Sequence, residues 1–135
     1  MKTILIVDDD PVWLSCLGAL LQQCRYSVIS KPAASEALSE VTGGASVDLV
    51  ITDYCMSGVD GIEFLHAFRQ LRPNVPVIVL TGHGTMECYM KAQGLGVTAF
   101  IQKPIGTREL IRAVAGALGD KAEERMPLRR SARKG

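Results

Sequence analysis

Apolar runs that are hydrophobic at nearly every position, rather than at every second one, recur along this chain. Thr3–Val7 (TILIV), Leu49–Thr52 (LVIT) and Val77–Leu80 (VIVL) offer almost no polar face to water. A strand of that kind must be covered on both sides, as happens inside a parallel sheet with helices on both faces. Two more mixed runs, Ser27–Ser30 and Thr98–Gln102, read as further strands. The segments between them carry helical spacing instead. Pro11 to about Cys24 places Trp13, Leu17, Leu20, Leu21 and Cys24 on one face, with Asp10 as N-cap and Pro11 in the first turn. Ala34–Val41 is a modest amphipathic helix closed by Gly43 and Gly44, and Gly61–Leu71 sets Ile62, Phe64, Leu65 and Phe68 together. Thr85–Gln93 is a weaker helical segment, and Thr107–Leu118 is the last. Strand and helix alternate at lengths that suit right-handed crossovers, which predicts an α/β fold with a doubly wound parallel sheet.

A chain of 135 residues with 47% hydrophobic content suffices for one domain with a real core. That domain is expected over residues 1–118, and 119–135 as a basic, flexible tail in which Lys121, Arg125, Arg129, Arg130, Arg133 and Lys134 outnumber the acids. The net charge of +1 argues against a surface built mainly for nucleic acid, and no separate DNA-binding unit is expected. Cys16, Cys24, Cys55 and Cys88 show no metal-ligand spacing, which suits a reduced compartment. The start MKTILIVDDD turns acidic too soon for a signal peptide, and no run is long enough for a membrane span, so a cytoplasmic protein is expected.

What each strand runs into is the chemical signal. Asp8 and Asp9 follow the first strand, Asp53 the third, Thr81 the fourth and Lys103 the fifth. Strand ends of a parallel sheet share one edge, where open α/β folds bind ligands, so these groups can converge. Asp10 is accounted for as a cap, whereas Asp8 and Asp9 have no such role. Asp53 alone could equally be an Asx-turn residue, Thr81 a turn hydroxyl in a Gly-rich loop with His83 and Gly84, and Trp13 a core residue. Together, three carboxylates repel one another unless a cation neutralises them. A hard divalent ion held by oxygen, with Lys103 and Thr81 on the remaining oxygens of a phosphoryl group, answers that repulsion. A carboxylate there can serve as nucleophile.

The pieces IVDDD (6–10), DLVITDYCMSGVDG (48–61), VIVLTGHG (77–84) and FIQKP (100–104) resemble the receiver domains of two-component response regulators, over roughly residues 2–118. The resemblance implies a flavodoxin-like fold of strand order 2-1-3-4-5 with five flanking helices. It implies Asp53 as phosphoacceptor, and Asp8, Asp9, Asp53 and the Cys55 backbone carbonyl as ligands of Mg²⁺ (or Mn²⁺). It makes Thr81 the switch hydroxyl, Lys103 the phosphate-pairing lysine, Phe100 the switch aromatic, and Lys103–Pro104 a cis peptide. Ser57 departs from the usual proline, which should loosen the loop after Asp53. Phe100 lacks the usual tyrosine hydroxyl, and Gly106 stands where a capping residue is common.

The expected function is therefore a stand-alone signalling phosphoacceptor, not an enzyme acting on other substrates. Its partners would be a sensor histidine kinase or histidine phosphotransfer protein and a downstream protein target. The readout face would comprise the helix at 85–93, the strand at 98–102 and the helix at 107–118, with Met86, Tyr89, Phe100, Arg108 and Arg112; the resemblance also admits a homodimer through it. A phosphatase or phosphotransferase with an aspartyl nucleophile is the alternative, but it needs a lid for which the chain has no room. A flavin-binding fold is excluded by the triply acidic loop after the first strand.

Overall fold

The computed structural model describes residues 1–53, 61–82, 90 and 93–127, apart from the Ile62 side chain. Its elements are β1 (Thr3–Val7), α1 (Pro11–Gln23), β2 (Ser27–Lys31), α2 (Ala34–Thr42), β3 (Leu49–Thr52), α3 (Gly61–Leu71), β4 (Val77–Thr81), β5 (Ala99–Gln102), α4 (Thr107–Leu118) and α5 (Ala122–Arg125). Within the expected helix at 85–93, Met90 and Gln93 are helical, and so is Gly94; Met86 and Tyr89 lie outside the described residues. The strands form one parallel sheet in the order β2-β1-β3-β4-β5.

Every residue of β3 and β4 is buried, which explains why those runs lack a polar side. Alternation within each strand sends side chains to two separate cores. On one face Leu5, Val7, Val50, Val77 and Val79 pack against α2 and α3 through Ala37, Val41, Phe64 and Phe68. On the other, Ile4, Ile6, Leu49, Ile51 and Ile78 pack against α1 and α4 through Leu17, Leu21, Ile111 and Val114.

Helix ends follow local chemistry. The Asp10 side chain accepts from the Val12 and Trp13 N–H groups, so α1 starts as expected. It stops in a Schellman-type turn, where Tyr26 N–H donates to Leu21 and Arg25 N–H to Gln22. Arg25 takes the left-handed position there, with φ 69°, a conformation usually left to glycine. Gly119 fills the same position after α4, with φ 72°. Gly106 caps α4 without a side-chain bond, although its carbonyl accepts from Leu110 at 3.0 Å.

The segment after Gly119 differs from the flexible tail expected of its composition. Asp120 accepts from Lys2 Nζ at 2.8 Å and from the Tyr26 hydroxyl at 2.9 Å, and it pairs with Arg125 at 3.2 Å. The Arg125 guanidinium stacks 4.4 Å from the Tyr26 ring centroid and donates to the Arg25 carbonyl at 3.1 Å. Met126 packs against the α1–α4 core. The chain is thus anchored beneath the amino edge of the sheet as far as Met126, and residues 128–135 lie outside the description.

Candidate functional site at the carboxyl edge of the sheet

Register brings the acidic residues together. Val7 is opposite Thr52, so the residues that follow, Asp8 and Asp53, leave the sheet side by side. Asp53 N–H donates to the Val7 carbonyl at 3.1 Å, and Thr52 Oγ1 to the Asp53 carbonyl at 3.1 Å. On the neighbouring strands Thr81 is opposite Gln102, and Lys103 N–H donates to the Thr81 carbonyl at 2.8 Å. Thr81 is fully buried as the last residue of β4. Lys103 is followed by a cis peptide to Pro104.

Asp8, Asp9 and Asp53 place carboxylate oxygens within 4.8 Å of one another. Lys103 Nζ reaches across to them, donating to Asp8 Oδ2 at 2.9 Å and lying 3.8 Å from Asp53 Oδ2. Asp8 is buried, and its other oxygen accepts from Asp10 N–H at 3.0 Å. It therefore has a structural role that sequence reasoning missed: an Asx-turn that closes the loop leading to α1. The Asp-x-Asp spacing was the available signal. Burial holds the Asp8 carboxyl above its usual range; the Asp10 amide and Lys103 work against that, and Asp53 adds to it. Asp9 is exposed, and Asp53 keeps a partly open side chain.

A cluster of oxygen donors suits a hard divalent cation, and these residues fit one: the donors are all carboxylates, with a single ammonium beside Asp8 and Asp53 among the described residues. Cys55, Ser57 and the rest of the loop after Asp53 lie outside the described residues. Phe100 is partly buried against the α2–α3 core, opposite Val79. Trp13, read from spacing as a core residue, does pack on the α1–α4 core, but its ring also lies under Lys103, with Nζ 4.7 Å from the centroid.

The sequence pattern of the response regulator receiver domain matches residues 4–115. The chain belongs to that family. The transcriptional regulatory protein GlrR of Escherichia coli is 37% identical over 119 residues, which are 88% of this chain and 27% of GlrR. FixJ of Azorhizobium caulinodans is 31% identical over 88% of this chain and 56% of its own length. The chain thus spans only part of the curated regulators it matches. A receiver domain protein from Methanospirillum hungatei superposes with a TM-score of 0.85 at 27% identity, covering 100% of this chain and 99% of that one. One from Clostridium thermocellum gives 0.82 at 29% identity, covering 88% and 95%. The receiver fold, its strand order and its place in two-component signalling are therefore established. No helix among the described residues is long and apolar enough to cross a membrane.

Proposed function

We propose that this receiver accepts a phosphoryl group on Asp53 from a phosphohistidine of a sensor kinase or phosphotransfer protein. The observation that carries the reading is Asp53 itself, a partly open carboxylate with Lys103 Nζ 3.8 Å away and Asp8 and Asp9 beside it. An Asp53 oxygen attacks phosphorus, the P–N bond breaks, and its electron pair leaves with the imidazole, which takes up a proton. The product is an acyl phosphate. Asp8, Asp9 and Asp53 would hold Mg²⁺ (or Mn²⁺), with the Cys55 carbonyl as a further ligand, and the bound ion would offset negative charge on the transferred oxygens.

Lys103 then has two claimants. In the resting chain it bonds Asp8. A phosphoryl group brings about −1.5 to −2 charges at neutral pH, enough to draw the ammonium away from a single carboxylate. Thr81, at the end of β4, would donate to another phosphoryl oxygen, and its movement would free space for the Phe100 ring. These contacts exist in one state only, so they can shift an equilibrium toward the face carrying Arg108 and Arg112. A downstream protein would read that face.

Exposure to acetyl phosphate and Mg²⁺ should add one phosphoryl mass to the intact protein and none to Asp53→Asn. Equal labelling of the two would place the acceptor elsewhere. Loss of labelling in Asp53→Asn with full labelling in EDTA would remove the metal from the proposal.

A further inference from the structure

The indole of Trp13 lies against the ammonium on which the proposed chemistry depends. The Asp10 cap takes the N–H groups of Val12 and Trp13 at 3.0 and 3.3 Å, which fixes Trp13 in the first turn of α1, at the carboxyl edge of the sheet. One side of the ring packs on the core beneath α1 and α4. Lys103 Nζ lies 4.7 Å from its centroid, 2.9 Å from Asp8 Oδ2 and 3.8 Å from Asp53 Oδ2. Two carboxylates and a π face thus surround the ammonium, and the lysine side chain is only 20% exposed.

A π face differs from a third carboxylate in a useful way. It attracts a cation, yet offers no lone pair and sets no hydrogen-bond direction. A lysine head on a flexible four-carbon stem can swing across such a surface without losing contact or regaining its full hydration. We propose that Trp13 is a positioning residue for Lys103: its indole keeps the ammonium poorly hydrated and within reach of both Asp8 and Asp53, ready to pass to a phosphoryl oxygen. This rests on Lys103 pairing with a phosphoryl group on Asp53, as proposed above.

Trp13→Phe keeps a π face, and Trp13→Leu keeps apolar packing without one. Resting-state NMR comes first, because it needs no phosphorylation. Ring current should move the Lys103 ε protons upfield in the wild type and less so in Trp13→Phe; Trp13→Leu should lose the shift. Phosphoryl uptake from acetyl phosphate with Mg²⁺, followed by intact mass, should then be about three- to tenfold slower in Trp13→Leu and within about twofold of wild type in Trp13→Phe, from the usual strength of such contacts. Thermal melts verify folding, and Trp13→Met replaces Trp13→Leu should the latter not fold. Equal uptake by the Phe and Leu variants overturns the proposal, as does an unshifted Lys103 in the wild type. A wild type that shows the upfield shift but takes up no phosphoryl group refutes Asp53 as acceptor and leaves the contact standing.

Discussion

Asp120→Ala probes how firmly the chain after α4 is held. The Tyr26 hydroxyl belongs to a residue only 2% exposed, and Asp120 Oδ2 accepts from it at 2.9 Å. Leaving that donor without its partner costs about 1–3 kcal/mol. The ion pairs with Lys2 and Arg125 involve side chains 39% and 22% exposed, so water screens them and each adds about 0–1 kcal/mol. About 2 kcal/mol in total is expected, which for a domain of this size lowers the melting temperature by about 6–10 °C. Tyr26→Phe in the Asp120→Ala background should cost less than it does alone, because the hydroxyl has already lost its acceptor. Acidity gives a second readout. Hydrogen bonding from Lys2, then from Tyr26, and the charge of Arg125 hold the Asp120 carboxyl below its usual range in the folded protein, against the pull of burial. A lowered folded-state value means that the stabilisation is fully present above about pH 4, the unfolded value, and is lost as the pH falls toward the folded one. The gap between wild type and Asp120→Asn in urea melts should therefore narrow below about pH 4. A loss under about 0.5 kcal/mol for Asp120→Ala, or a gap that does not change with pH, would show that the segment is not docked in solution.

Two further substitutions test the packing and the α4 cap. Phe64 and Phe68 are fully buried with ring centroids 5.9 Å apart, so Phe68→Ala should cost about 3–5 kcal/mol by chemical denaturation; a loss below about 1 kcal/mol would mean that α3 is not packed in this way. Gly106 has φ −69° and ψ 151°, which serine adopts easily, and a Cβ there meets the mobile carboxylate end of Glu109. Gly106→Ser should gain about 0.5–1 kcal/mol, from a side-chain cap and a less flexible unfolded chain, and a loss in thermal melts would mean that Glu109 cannot move aside.

The central strands were readable from sequence because both faces of the sheet are buried there, so hydrophobicity alone marked β1, β3 and β4. Strand ends were read short where polar residues still pair. Lys31 belongs to β2 because its carbonyl accepts from Asp8 N–H, and Thr81 belongs to β4 because it sits opposite Gln102. Of the site, the sequence offered the residues and their order along the edge. It could not show that Lys103 Nζ lies nearer to Asp8 than to Asp53. Trp13 was only half read, since helical spacing identifies the face toward the core and says nothing of a neighbour 90 residues away. The anchored segment was missed for the same reason. A run such as GDKAEER looks like solvated charge until Tyr26, 94 residues distant, is known to lie beside Asp120.

The two edges of the sheet hold polar clusters made of similar groups, and charge balance separates their roles. At the amino edge one carboxylate, Asp120, meets two cations and a hydroxyl, and its carboxyl is held low. That carboxylate is more than balanced, so nothing there calls for an added cation. At the carboxyl edge Asp8, Asp9 and Asp53 gather, with Lys103 beside Asp8 and Asp53, and the buried one, Asp8, is held high. Among the described residues these carboxylates outnumber the ammonium beside them, a donor set that suits a divalent cation. Under the proposed function such a cation would let a dianionic phosphoryl group approach an acidic pocket. Burial alone does not distinguish the edges, because both clusters sit partly sheltered against the same sheet. The excess of carboxylates among the described residues does, and under the proposed function it would make the carboxyl edge the place where arriving charge rearranges its neighbours.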